Sequence, residues 1–393
     1  MNEIRIAILG DEAGVRNVQL ALKYPQMIGA TYIYDNDLFS SGPSDFLEEW
    51  DVIIVAFDAT FYSDHIIPII YGVIHPEKTL VLDFYQVRRF KVPFMNVDLV
   101  MNNAYHTAYD GLIFGISHSE WGIIADRLKP GNFAKLSVPS QDIYYNFKTL
   151  EYCCDKYFNK IAGLNTVIFD MYDYSYFNYD ASMTDTIANY MGCGGFYKDP
   201  HNFEKNIDYP GWNYWGLAGE VKKLVLGDVE QEILDIWDML FVDDMARLYD
   251  SKYCGTNDFR LRFDIVSDEQ VDSFKIGSYT RERFMNTIEE NKQYFERMLY
   301  KLYEINPEVK IYLVMMPRYE GVWEKEQSMV YSWKDFFYDT LNEMRERHSF
   351  EILDFIRDDI KKTRAYYQDA THFNFLGAMK FTDLLNERLK EHK

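Results

Sequence analysis

Two short segments hold the residue types from which a nucleophilic site could be built. The first is Phe114-Gly-Ile-Ser-His-Ser-Glu-Trp-Gly122, which follows the apolar run Leu112-Ile-Phe114. That run reads as a buried strand, so Ser117 sits on the turn where strand passes into helix. A serine there is held at the carboxyl edge of a parallel sheet, where open α/β sheets place their ligands. Its backbone amide lies at a helix N-terminus and can help stabilise an oxyanion, and Gly115 permits the tight turn. Taken alone, Ser117 could equally be a helix N-cap. The second segment is Gln368-Asp-Ala-Thr-His-Phe-Asn-Phe-Leu-Gly-Ala378, near the end of the chain. Asp369 and His372 lie three apart on the loop entering the last helix. At that spacing a carboxylate can accept the imidazole Nδ1–H, fix the tautomer and leave Nε2 free to take a serine proton. The segment by itself also admits a capping aspartate and an incidental histidine.

The elements that must position these groups follow from the hydrophobic pattern. Residues 1–100 read as an alternating β/α unit with a Rossmann-like parallel sheet. Ile4, Ile6 and Ile8 alternate into Gly10, and a helix is expected from about Val15 to Tyr24. Val52 to Phe57 and Thr79 to Phe84 read as strands, the former buried on both faces. Gly10-Asp-Glu-Ala-Gly14 lacks the middle glycine of a dinucleotide fingerprint, and Asp11 and Glu12 put negative charge where phosphates would sit; a plain strand-to-helix turn is expected. A second α/β unit, 101–393, has expected strands at Leu112–Phe114, Phe133–Leu136, Thr166–Met171 and Lys310–Met316. An amphipathic helix is expected from Thr280 to about Ile305 and another after Gly377. Between about 180 and 280 the β/α rhythm stops. This inserted stretch holds Gly192-Cys-Gly-Gly195, Tyr209-Pro-Gly-Trp-Asn-Tyr-Trp215 and an expected helix Gln231–Leu248, and reads as a cap over an active site.

With the two motifs in this order around a parallel sheet, the chain from about Tyr109 to Lys393 resembles the SGNH (GDSL-like) hydrolases. Gly115-Ile-Ser117 stands where that family has Gly-Asp-Ser, and Asp369-Ala-Thr-His372 matches its Asp-x-x-His block. The Gly-x-Ser-His variant is similar to relatives associated with cell-surface polysaccharide and teichoic-acid modification. The resemblance implies a flavodoxin-like three-layer α/β/α domain. It also implies Ser117 as nucleophile, His372 as general base and Asp369 as its orienting partner. The family's remaining oxyanion donors, a glycine amide and an asparagine side chain, have no clear counterpart. Ser140, or less well Ser137, stands near the glycine position. Tyr172, Asp173 and Tyr174 stand near the asparagine position, where an ionised Asp173 would oppose a developing oxyanion and the tyrosines could donate. His118 is a candidate pocket residue, and Arg318 a candidate contact for an anionic group.

The implied function is acyl transfer through acyl-Ser117 to water or to a sugar hydroxyl. The substrate would be an acylated carbohydrate, with an acyl donor in the transfer case. The missing glycine and asparagine motivate a rival, an inactive glycan-binding or scaffold module. No cofactor or metal motif is present: Cys153 and Cys154 are adjacent, Cys193 and Cys254 stand apart, and Asp64, His65 and His75 have no partner at ligand spacing. The formal net charge of −21 disfavours nucleic acid and anionic lipid as partners. No apolar run approaches the ~18 residues of a membrane span, and the first residues lack a secretory pattern, so a cytoplasmic protein is expected. Aromatic residues make up 17% of the chain, which suits sugar faces but also fills cores.

Overall fold

The computed structural model describes residues 4–34, 47, 49–57, 67, 70–72, 74–75, 77–91, 95–102, 106–183, 195, 201–202, 208, 229–242, 263–275 and 280–391. The chain divides into two compact units, Met1–Pro93 with Trp215–Asp250, and Phe94–Tyr214 with Ser251–Lys393. Each has its own all-parallel sheet flanked by helices, so both are mixed α/β. Among the described residues no helix is long and apolar enough to cross a membrane.

The first unit pairs β1 (Ile6–Gly10), β2 (Ile28–Ile33), β3 (Val52–Ala56) and β4 (Leu80–Asp83) in the order β2-β1-β3-β4. β1 and β3 are buried throughout because both sheet faces are covered. Ile6, Ile8, Val52, Ile54 and Leu82 join one cluster, while Leu9, Ile53, Val55 and Val81 join another. The turn after β1 is a structural cap: the Asp11 carboxylate accepts the Gly14 amide at 2.6 Å. A Cβ on Gly10 or Gly14 would lie 1.9 Å from the Ala56 carbonyl oxygen, so these glycines serve close packing onto β3.

The helix expected from Gln231 to Leu248 spans Gln231–Leu240 and is capped by Phe241; residues 243–250 lie outside the described set. It packs within the first unit. Trp237 stacks on Phe84 at 5.4 Å, Trp237, Leu240 and Phe241 are buried in the cluster of β1 and β3, and Asp238 pairs with Lys91 at 2.6 Å. Its apolar face therefore completes the first unit, which comprises Met1–Pro93 and Trp215–Asp250. The glycine-rich and Tyr209–Trp215 segments, Asp64, His65, Cys193 and Cys254 fall outside the described residues, apart from Gly195.

The second unit contains β5 (Gly111–Phe114), β6 (Phe133–Lys135), β7 (Thr166–Asp170), β8 (Lys310–Met315) and β9 (Glu351–Asp354), in the order β6-β5-β7-β8-β9. Successive side chains alternate between two cores. Leu112, Phe114, Val167, Phe169, Leu313 and Met315 face helices Ile143–Ile161, Met285–Ile305 and Lys334–Arg345. Ile113, Ile168, Tyr312 and Val314 face the last helix, Phe375–Glu391. The helix expected from Thr280 begins at Met285, and the last helix begins two residues before Gly377. Numbered within the unit the strand order is 2-1-3-4-5, whose crossovers diverge beside the first strand, so the position where open sheets of this kind place ligands falls at the carboxyl ends of β5 and β7. Ser117 follows β5, Asp173 follows β7 and Arg318 follows β8.

Candidate active site

The turn that carries Ser117 is built from three conformational choices. Gly115 takes φ +138°, outside the range of ordinary side chains, and a Cβ there would lie 2.4 Å from Asp170 Cβ and 2.7 Å from Ser119 Oγ. Ile116 is extended, and Ser117 opens the helix Ser117–Gly122. The Gly115 amide donates to Asn146 Oδ1 at 2.9 Å, which ties the turn to the start of helix Ile143–Ile161. In this helix the Glu120 amide donates to the Ile116 carbonyl and the Ser119 amide to the Asp170 carboxylate. The amides of Ser117 and His118, at the first two helical positions, have no intrahelical acceptor and can donate to an anion.

The loop carrying the other two groups is closed by the Gln368 amide on the His372 carbonyl at 3.0 Å and by pairing of Tyr367 with Phe373. Asn374 anchors it from below: its amide group donates to the carbonyls of Asp264 and Ala365, and its oxygen accepts the Gly377 amide. This loop brings His372 Nε2 to 2.8 Å from Ser117 Oγ. On the other side of the ring, Nδ1 lies 3.0 Å from both Asp369 oxygens. With the proton on Nδ1, that nitrogen donates to Asp369 and Nε2 accepts the Ser117 hydroxyl. Asp369 Oδ1 also accepts the amides of Thr371 and His372, each at 2.9 Å. Burial works to raise the Asp369 pKa. The His372 hydrogen bond and charge, with the two amides, outweigh it and hold the carboxyl down to about 2.

The other candidates divide. His118 is buried, stacks on His372 at 4.7 Å and meets the Tyr172 ring at a tilt at 5.0 Å. Burial, then the neighbouring His372 and Arg318, push its pKa well below the usual imidazole range, so it is a neutral ring. Tyr172, at φ +58°, lies under the Arg318 guanidinium at 4.6 Å. Arg318 in turn pairs with Asp173 at 2.7 Å, with both side chains at most 5% exposed. The Asp173 charge is therefore met by a guanidinium instead of facing a developing oxyanion unopposed, and Ser175 donates to its other oxygen.

Tyr174 does not belong here. Its hydroxyl donates to Asp354 at 2.6 Å and its ring packs among Tyr331, Phe337 and Tyr338. Residues in the turn after β7 point to different sides of the sheet edge, and the position beside the imidazoles falls to Tyr172. Ser140 is buried at φ +63° in the loop after β6, with its carbonyl accepting the Tyr179 hydroxyl. Ser137 bonds to Ser119: their hydroxyls lie 2.8 Å apart, and Ser119 also meets the Ile116 carbonyl at 3.0 Å.

Sequence reasoning missed Asp170 and Lys135. Asp170 is fully buried and accepts the amides of Ser119 and Tyr172 at 2.8 and 2.9 Å, joining the turns after β5 and β7. Burial raises its pKa to about 6 against these hydrogen bonds. The signal was present as an aspartate ending an otherwise apolar strand, Thr-Val-Ile-Phe-Asp170. Lys135 carries no such signal, because a single lysine in a short strand reads as solvent-facing. Compared with known proteins, the chain matches no protein-family model and no curated protein.

Proposed function

We propose that the chain is a serine-dependent esterase or O-acyltransferase of the SGNH kind, acting through an acyl-Ser117 intermediate. The reading is carried by one observation, the 2.8 Å approach of His372 Nε2 to Ser117 Oγ with Asp369 held behind the imidazole. As Ser117 Oγ attacks an ester carbonyl, its proton passes to His372. The imidazolium formed is stabilised by Asp369, and the proton is then delivered to the departing alcohol oxygen. The carbonyl oxygen gains negative charge next to the amides of Ser117 and His118, with the Asp173 charge already neutralised by Arg318. Water or a sugar hydroxyl, activated by the same imidazole, then releases the acyl group. The substrate class, an acylated carbohydrate of surface-polysaccharide biosynthesis or modification, follows from the resemblance of Gly115-Ile-Ser-His118 and Asp369-Ala-Thr-His372 to that group of SGNH proteins.

Incubation with p-nitrophenyl acetate, beside Ser117→Ala and His372→Ala and with or without sugar acceptors, tests this. Ester cleavage abolished by both substitutions is expected, with acceleration by a sugar selecting transfer over hydrolysis. No Ser117-dependent turnover and no acyl-enzyme by intact mass would refute the acyl-transfer reading and leave a binding module on this fold.

A further inference from the structure

The nucleophile helix Ser117–Gly122 is only six residues long, too short to be stable through its own hydrogen bonds. Something outside it must fix its axis if Ser117 is to stay within reach of His372. At its first turn that role falls to Asp170, which accepts the Ser119 amide, and to Ser137, whose hydroxyl meets that of Ser119. At its last turn the carbonyls of Glu120 and Ile123 are met by the Lys135 ammonium, at 2.8 and 3.2 Å. Lys135 ends β6, is 2% exposed and is registered beside Ile113 of the strand leading into Ser117. A buried lysine is expensive unless its protons are bonded. Here two of its bonds go to the carbonyl end of one helix, where a cation also complements the helix dipole.

We infer that Lys135 is a positioning residue for Ser117. It grips the C-terminal turn of the nucleophile helix while Ser137, two residues further along the same segment, grips the N-terminal one. The inference rests on the acyl-Ser117 reading and adds to it a support and a pH response. The groups facing Lys135 are Glu120 on the helix and Asp126 in the turn after it, and both favour its charged form. β5 carries no titratable side chain. On the opposite face of the sheet, Asp98 is bonded to Tyr152, Lys156 and Tyr157. Burial outweighs Glu120 and Asp126 and brings the ammonium down to about 8. The helix therefore loses its charged anchor as pH rises through that value.

The test is the rate at which a fluorophosphonate labels Ser117, read by intact mass from pH 6.5 to 9.5, with melting temperature measured in parallel. In that step the serine oxygen bonds to phosphorus, fluoride leaves and the serine proton passes to His372. The wild-type rate should fall above about pH 8, where a serine–histidine pair alone would hold a plateau. Lys135→Met should label about tenfold more slowly at neutral pH, a barrier increase of about 1.4 kcal/mol, and lose the alkaline fall. Lys135→Arg, which keeps the charge and donors, should recover much of the rate. An alkaline plateau in the wild-type protein would overturn the inference even if neither variant folds. So would a Lys135→Met protein that labels at the wild-type rate. A wild-type protein not labelled at Ser117 at all would instead remove the acyl-transfer reading, and this inference with it.

Discussion

Replacing Asp369 by asparagine tests the arrangement where its electrostatics can be sized. The carboxyl is held down from 3.8 to about 2, which at about 1.4 kcal/mol per unit corresponds to roughly 2 kcal/mol favouring the carboxylate. The side chain is 37% exposed, so solvent screening leaves on the order of half of that. The His372 bond and charge lead the effects lowering it, and the carboxylate faces the imidazolium that forms during attack. A barrier increase on the order of 1 kcal/mol slows acylation roughly tenfold. Asparagine also presents an N–H that can turn His372 to the wrong tautomer, which in triads of this kind carries the loss to roughly 10⁴-fold in kcat. Esterase kinetics of Asp369→Asn beside the wild type should therefore show kcat down by between about 10- and 10⁴-fold, with stability at neutral pH lowered by on the order of 1 kcal/mol. A variant within twofold of the wild type, while Ser117→Ala is dead, would refute the idea that Asp369 orients His372.

Three further outcomes follow from the same geometry. Gly115→Ala puts a methyl against Asp170 Cβ and Ser119 Oγ at a φ of +138°; it should destabilise by about 2–4 kcal/mol, read as a lowered denaturant midpoint. Asp170 titrates near 6 when folded and near 3.8 when unfolded. Because this carboxyl is raised, its stability contribution is present below about 3.8 and is lost as pH rises through about 6. Chemical unfolding should show that fall, of roughly 3 kcal/mol, in the wild type and not in Asp170→Asn. Arg318→Met strips the guanidinium from the buried Asp173 carboxylate and should cost about 3–5 kcal/mol. Adding Asp173→Asn should restore most of the melting temperature, and no recovery would mean that the pair is not an energetic unit.

Local chemistry was enough to place seven of the nine described strands, all but β2 and β9, and both motifs. The β-branched run Val52-Ile-Ile-Val55 can only be buried on both faces, and a serine after an apolar strand with a glycine two residues before it can only be a strand-to-helix turn. Asp369 and His372 are three residues apart, so their pairing is a local matter too, settled within one loop. Distances across the sheet are different in kind. The meeting of His372 with Ser117 spans 255 residues and depends on how strands pair and helices pack, which no local pattern encodes. The same holds for Arg318 with Asp173, for Tyr174 turning to Asp354 while Tyr172 meets the imidazoles, and for the helix Gln231–Leu240 joining the first unit. Lys135 is the plainest case. In sequence it is one charged residue in a three-residue strand. Only the tertiary fold buries it beneath the helix Ser117–Gly122, where its charge must be bonded and meets the carbonyls of Glu120 and Ile123.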